Sequence, residues 1–344
     1  MPTVALVDPR AHVSASGGAL VVQVGGDPVQ TLQPHQITEL HLHAKVELTA
    51  GARLLLLREG IDVAFFTLAG RYVGRLSPAE MNQGHRRIAQ YQAVCDPQRR
   101  LAVARALVDR KLDHQRAFLV RRQRRLRDPD VADATAAIRA LRERLAHVED
   151  LDALRGHEGA AARLYFGAFA KLITNDAFVF SGRNRYPPRD PVNAALSFGY
   201  TLLVSAMDGA LRRASLDPYV GFLHEAGRGA GVLAFDLVEP FRPLVDRLVI
   251  TLINRQQIGP EDFRKPLPEE LGARAELADE AVFLDAVARR ILIRAWEQTL
   301  EQTAPHPTQE GRYSFRNLMP ETAYALARFI EGDTDTLQLP RIDF

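Results

Sequence analysis

The sequence predicts an α+β protein, with a small, mainly β N-terminal domain at residues 1–77 and a large all-α domain at residues 78–344. Two observations predict it. Up to about Leu76, apolar residues come in short, mostly alternating runs between Gly- and Pro-containing turns, the pattern of strands. After Ser77 and Pro78 they recur at helical spacing through long segments rich in Arg and Ala, and that period persists.

Taken in order, the apolar run at 19–24 leads into the turn Gly25-Gly26-Asp27-Pro28, the flank of a hairpin or meander. Residues 37–46 put Leu40, Leu42, Ala44 and Val46 on one strand face. Thr49 is an N-cap candidate for a short leucine-rich helix that Gly60 ends. Residues 61–68 read as a buried strand, and Gly70-Arg-Tyr-Val-Gly-Arg75 closes the sheet region. Helices are expected at 88–110, 112–127, 131–148, 159–172, 193–214, 240–254, 280–301 and 320–330, with Pro or Gly in the linkers.

Hydrophobic residues at 47% and charged residues at 25% are the proportions of a chain that buries its own core. No stretch approaches the roughly 20 uninterrupted apolar residues of a membrane span. The first ten residues lack the basic-then-apolar layout of a signal peptide, so a cytoplasmic protein with no membrane partner is expected. The single cysteine, Cys95, excludes an internal disulfide framework and a multi-cysteine zinc site. The net charge is only +2, so a nucleic acid would have to be held by local basic surfaces. Of 44 basic residues, only Lys45, Lys111, Lys171 and Lys265 are lysines. GC-rich coding accounts for that ratio, but it also leaves many planar forks suited to phosphate and carboxylate.

Three helical segments carry the chemistry. In the first, Gly156 and Gly159 flank Glu158 at an expected helix start, where an acid also serves simply to favour the helix dipole. In the second, a basic, proline-rich loop with Arg183, Arg185 and Arg189 feeds a helix bearing Asn193, Ser197 and Tyr200. Asp190-Pro191 is a plausible start for that helix, and the three arginines suit phosphate contacts or plain solvation. In the third, His224 precedes a Gly-rich loop and the run Leu-Ala-Phe-Asp236-Leu-Val-Glu239. The i,i+3 spacing puts both acids on one helix face. Acids among apolar residues lose hydration unless a cation or donor neutralises them. Mixed carboxylate and imidazole donors suit Mg2+ or Mn2+ better than structural zinc, and such an ion supports phosphodiester chemistry.

Together these segments resemble the CRISPR-associated endonuclease/integrase that inserts new spacers during adaptation. The pieces that carry the resemblance are Glu158-Gly-Ala-Ala with Tyr165-Phe166, Asp190-Pro191-Val192-Asn193-Ala194, and His224 followed by Leu-Ala-Phe-Asp236-Leu-Val-Glu239-Pro-Phe-Arg242-Pro. The resemblance implies metal ligands at Glu158, His224 and Glu239, the last in place of the Asp common in the family, with Asp236 as a supporting or ligating acid. It implies that Asn193 and Tyr200 lie near a DNA-facing surface and that Arg242 holds a carboxylate or phosphate; Tyr165 fits core packing equally. It also implies a homodimer through the β domains, and a heterohexamer with a small ferredoxin-like partner. The DNA would be a prespacer duplex and a CRISPR repeat, joined when a 3′-hydroxyl attacks the repeat phosphodiester.

Weaker signals remain. The run from Arg121 to Arg127 suits a DNA backbone or a solvated helix face. His41 and His43 read as exposed strand residues, Cys95 as an ordinary small buried residue, and Gly227–Gly231 as a flexible loop without a P-loop ending. Two rival functions share the residues: a stand-alone nuclease on branched DNA in repair, and a catalytically silent DNA scaffold.

Overall fold

Up to Leu76 the chain builds β1 (Thr3–Leu6), β2 (Ala11–Ser16), β3 (Ala19–Val24), β4 (Asp27–Leu32), β5 (Glu39–His43), β6 (Glu47–Leu48), α1 (Ala50–Arg58), β7 (Asp62–Phe66) and β8 (Tyr72–Leu76). The computed structural model describes residues 3–43, 45–68, 70–79, 83–184, 186–225 and 231–344. The strands form two four-stranded sheets, ordered β4-β3-β2-β6 and β1-β5-β7-β8. The expected meander is the antiparallel β2-β3-β4, with Gly25 and Gly26 at positive φ in its tight turn. In the other sheet β1, β5 and β7 run parallel, which needs crossovers. The meander supplies one, and α1, capped by the Thr49 hydroxyl, supplies the other.

Both sheets and α1 share one core that includes Val13, Leu20, Val22, Leu40, Leu42, Leu56 and Val63. Burying each side chain of this size stabilises by about 1.5–3 kcal/mol relative to exposure. Ala44, placed by pattern on the same strand face, lies outside the described residues, and Val46 packs on this core from beyond the strand.

His41 and His43 are not exposed: they retain 4% and 1% of their accessible surface. Their side of the sheet is covered as well, because residues 186–201 and 260–297 belong to the same compact unit as residues 1–81. His43 stacks on Phe66 at 4.6 Å, with the Phe198 ring 6.2 Å away. Gly70 sits at φ +80, and a Cβ there would come within 2.2 Å of that Phe198 ring, so glycine is required. On this covered face Arg75 Nη1 lies 2.8 Å from Glu39 Oε1 and 3.3 Å from Asp62 Oδ2, and His41 Nε2 lies 3.3 Å from Glu39.

The second compact unit comprises residues 82–185, 202–259 and 298–344. Element type changes after residue 77, as the period indicates, and the first stretch of the first compact unit ends close by, at residue 81, but that unit is not confined to it. Two later segments instead complete the cover of the first sheet.

The helices begin with α2 (Gly84–Cys95), α3 (Pro97–Leu126), α4 (Pro129–Arg144), α5 (Leu151–Lys171), α6 (Pro191–Arg213), α7 (Val232–Val238) and α8 (Arg242–Asn254). The expected break near residue 111 lies instead at Asp96-Pro97. The Asp96 carboxylate accepts the Gln98 and Arg99 N–H groups, and Pro97 opens a helix of 30 residues. Asp128-Pro129 repeats the device, and Asp190 likewise accepts the Asn193 N–H at 2.8 Å. Asp150 caps α5, so Glu158 stands two turns inside the helix rather than at its start. α6 is long and apolar enough to cross a membrane by length and composition, but 78% of its apolar window is buried inside the protein.

The chain continues through β9 (Phe263–Arg264), α9 (Pro268–Leu271), β10 (Phe283–Leu284), α10 (Ala286–Leu300), β11 (Thr303–Pro305), β12 (Arg312–Ser314) and α11 (Phe315–Glu331). Two short antiparallel pairs, β9 with β10 and β11 with β12, thus interrupt a region expected to be all helical. The helix expected from 280 starts only at Ala286, under an Asp285 cap, and Pro320 lies inside α11.

Candidate active site

All of the groups that converge belong to the second unit. α3 carries Lys111, which is buried; its ammonium bonds Glu158 of α5 and lies 2.5 Å from Glu239 Oε2. Glu239 opens a 3-10 turn (Glu239–Phe241) between α7 and α8, and the Arg242 Nε–H donates to its Oε1 at 2.9 Å. The turn is pinned from below. One turn past Lys111, the buried His114 donates from Nδ1 to the Pro240 carbonyl at 2.6 Å, while its Nε2 accepts the Ile342 N–H at 3.0 Å. Burial holds this ring's pKa down at about 4, so it stays neutral with its tautomer set by those partners.

Burial alone would push the Glu239 carboxyl up, but the charges of Arg242 and Lys111 outweigh it and hold the group at about 2. Burial likewise works against the charge on Lys111, and Glu239 and Glu158 overcome it, raising the pKa of the ammonium.

Beside this cluster, Asp236 of α7 is fully buried. Its Oδ2 accepts the N–H groups of Phe222 at 2.6 Å and Leu223 at 2.9 Å, and its Oδ1 accepts the His224 N–H at 3.1 Å. The same Oδ1 lies 2.6 Å from His224 Nδ1, so the ring donates there and keeps Nε2 as its remaining nitrogen. That hydrogen bond raises the His224 pKa against the pull of burial. A Cβ on Gly221 would sit 2.7 Å from Asp236 Oδ2, so this cage closes only around glycine.

Other helices hold the cage from outside. The fully buried Gln90 of α2 donates to the Asp217 and Val220 carbonyls and accepts the Asp217 N–H. Arg100 of α3 donates to the Phe222 carbonyl at 3.0 Å, and Arg155 of α5 to the Leu223 carbonyl at 2.8 Å.

The structure therefore brings Glu158 and Glu239 onto one cation, sets Arg242 on Glu239, and pins His224 to Asp236. Among the described residues no three His, Cys, Asp or Glu side chains meet at one point fit for a metal ion. The donor chemistry nevertheless fits a divalent cation: two carboxylates already share one positive charge, that of Lys111, and an oriented imidazole stands on the neighbouring loop.

The remaining expectations are not gathered here. Asn193 and Tyr200, expected at a DNA-facing surface, are buried, and the Asn193 amide donates to Asp190 at 2.6 Å because the helix start needs it. Arg183 turns to the Asn184 carbonyl at 2.5 Å, and Arg189 forms an exposed pair with Glu280 at 3.4 Å. Arg185, and all of the Gly-rich loop except Gly231, lie outside the described residues. Tyr165 is core, as one reading had it, with its hydroxyl donating to Asp246 at 2.7 Å. Cys95 is exposed rather than buried, since it closes α2 immediately before the helix break.

Sequence reasoning passed over Lys111, His114, Gln90, Arg100 and Arg155. Lys111 carried one readable signal: it is a lysine inside a helix of a chain that elsewhere uses arginine almost throughout.

The family model described as CRISPR associated protein Cas1 matches residues 4–298. A CRISPR-associated exonuclease Cas4/endonuclease Cas1 fusion of Rhodospirillum rubrum is 37% identical over 331 residues, covering 94% of this chain and 55% of the fusion. The chain thus spans about half of that relative. A CRISPR-associated endonuclease Cas1 of the same organism is 34% identical over 330 residues, covering 93% of this chain and 92% of the relative. Among solved structures, a casposase bound to integration product superposes with a TM-score of 0.83 at 23% identity, covering 100% of this chain and 94% of that one. A Cas1 protein from Thermotoga maritima gives 0.80 at 23% identity, covering 98% and 99%. At that identity the likeness is one of fold.

Proposed function

The chain belongs to the Cas1 family of CRISPR-associated proteins, and from that premise we propose that it is a DNA endonuclease and spacer integrase whose chemistry takes place at Glu158, Glu239 and His224. The observation that carries this reading is the pair Glu158 and Glu239 converging on one cation beside an imidazole locked by Asp236. In integration, a 3′-hydroxyl of captured DNA attacks a phosphodiester at the repeat edge. A new P–O bond forms, the old one breaks, and the severed strand leaves with its own 3′-hydroxyl after taking up a proton. Hydrolysis puts water in place of the attacking hydroxyl.

Glu158, Glu239 and His224 would hold Mg2+ or Mn2+, which when bound polarises a phosphoryl oxygen and eases deprotonation of the attacking one. Lys111 and Arg242 keep Glu239 ionised and add positive charge where phosphate charge develops. Asp236 has both oxygens occupied by donors, so its role is to orient His224. This reading extends to a homodimer through the N-terminal strands, a heterohexamer with a small ferredoxin-like partner, and a cytoplasmic location where the DNA substrates are.

The test incubates the protein, with and without that partner, with Mn2+, a short DNA duplex and a repeat-containing plasmid. Strand joining is expected, and it should disappear in His224→Ala. Cleavage without joining points to a repair nuclease, and neither product points to a silent scaffold.

A further inference from the structure

At the far end of α3 lies a group of charges that the reacting centre does not use. Arg122 stacks its guanidinium 5.5 Å from the centroid of the Phe118 ring, and Arg247 of α8 stacks 5.6 Å from that of Phe344. The two rings are themselves packed edge to face at 5.7 Å. Two cations therefore sit on one aromatic pair. Arg247 and Thr251 share a face of α8 at i and i+4, and Arg255 is the residue that caps the end of that helix. Arg122 reaches between the two arginines to donate to the Thr251 hydroxyl at 3.4 Å, and Arg247 donates to Gln302.

No carboxylate among the described residues pairs with Arg121, Arg122, Arg125, Arg247 or Arg255. Burial lowers the pKa of Arg122, and repulsion from Arg125, Arg255 and Arg121 lowers it further. Burial does the same to Arg247, with repulsion from Arg122 and Arg121. Half-burying like charges with no counter-charge is unfavourable. A helix C-terminus accounts for exposed arginines, but not for two drawn under cover against rings.

We propose that Arg122 and Arg247, ringed by Arg121, Arg125 and Arg255, form a seat for the phosphate backbone of a DNA strand whose reacting phosphate lies at Glu158 and Glu239. The proposal rests on the integrase reading. It deepens that reading by naming where the strand is gripped away from the chemistry. Arg122 stands 11 residues beyond Lys111 on one continuous helix, roughly 16 Å at 1.5 Å per residue. That spans about five base steps at about 3.4 Å each. Guanidinium forks suit phosphate oxygens, and cations already oriented on rings lose little freedom when they bind.

The test measures binding of a short labelled DNA duplex to the full chain between about 50 and 200 mM salt. It compares wild type, Arg122→Gln with Arg247→Gln, the exposed pair Arg121→Gln with Arg255→Gln, and Arg139→Gln as a basic residue paired elsewhere with Glu143. For either double variant, the slope of log affinity against log salt should fall by about two, with roughly tenfold weaker binding at the middle of the range. Arg139→Gln should change neither. The melting temperature of Arg122→Gln with Arg247→Gln should hold or rise, because like-charge repulsion is relieved. Wild-type binding with an unchanged slope in both double variants overturns the seat while leaving the integrase reading intact. A lowered melting temperature with an unchanged slope makes the arginines a structural staple, which also overturns it. If DNA binding persists and the variants lose only an acidic protein partner, the seat is for protein rather than DNA. No wild-type DNA binding at all removes the integrase reading and the seat together.

Discussion

Two buried clusters in this protein share a plan, a cation between two carboxylates, and differ in access. On the covered face of the N-terminal sheet, Arg75 lies between Glu39 and Asp62, with His41 beside them, and no side chain exceeds 10% exposure. In the helical unit, Lys111 lies between Glu158 and Glu239, but the Glu158 side chain is 26% exposed and that of the adjacent His224 is 48% exposed. Convergent acids are therefore not enough to mark a reaction centre. The first cluster is sealed around a guanidinium, which is always charged and presents a rigid fork. The second opens to solvent around an ammonium, a point charge that another cation can replace.

The sharpest way to break this comparison is to remove each central cation. Arg75→Met removes the guanidinium that lies between the buried Glu39 and Asp62 carboxylates and should destabilise the fold by about 3–5 kcal/mol in urea unfolding. Lys111→Met should lose less, about 1–3 kcal/mol, because Glu158 can turn to water and Arg242 still neutralises Glu239. Equal losses would erase the distinction drawn between the clusters.

The next contrast is in pH. Burial first, then the charges of His41 and Arg289, drives His43 from 6.5 down to about 3. Below about 6.5 the unfolded chain takes up a proton that the folded one refuses. Stability should therefore fall as pH drops from 6.5 toward 3, by up to about 1.4 kcal/mol per unit. His43→Phe should flatten that acid limb in stability measured against pH, and an unchanged limb would sink the assignment. His224 has the opposite sign: its raised pKa gives a contribution that is complete below 6.5 and is lost as pH rises through the folded value. In chelator-treated protein, His224→Gln should lower stability below about 6.5 and remove the decline seen as pH rises above it.

The smallest expected effect lies in the strap around the cage. Arg155→Ala removes donors to the Leu223 carbonyl and should lower stability by about 1 kcal/mol. Joining by this variant should slow roughly tenfold, since a small misplacement of His224 is enough. A full loss of folding would instead make Arg155 part of the core.

The sequence made the change from strand to helix legible because it is a change of period, and periodicity is local. It made the third segment legible because acids in an apolar run are conspicuous. It hid what depends on distant partners. His41 and His43 looked exposed because the segments that cover them come from residues 186–201 and 260–297. Glu158 looked like a helix-start residue because Asp150, the true cap, lies further back. Lys111 lies 47 residues from Glu158 and further still from Glu239, and no spacing rule links them. The helix break went to Asp96-Pro97 because a capping acid followed by proline outweighs a continuous amphipathic pattern.

α3 holds Lys111, His114, Phe118 and Arg122 on one unbroken rod. Each further residue on such a rod turns the next side chain by about 100°. One codon inserted between 111 and 122 would swing the arginine end out of phase with the acid end, even if every contact at either end survived alone. Length changes in this gene should therefore be excluded from that interval and tolerated just past it, where Arg127 adopts a left-handed turn and Asp128-Pro129 starts a new helix. The spacing between those side chains is thus as much a part of the arrangement as the side chains themselves.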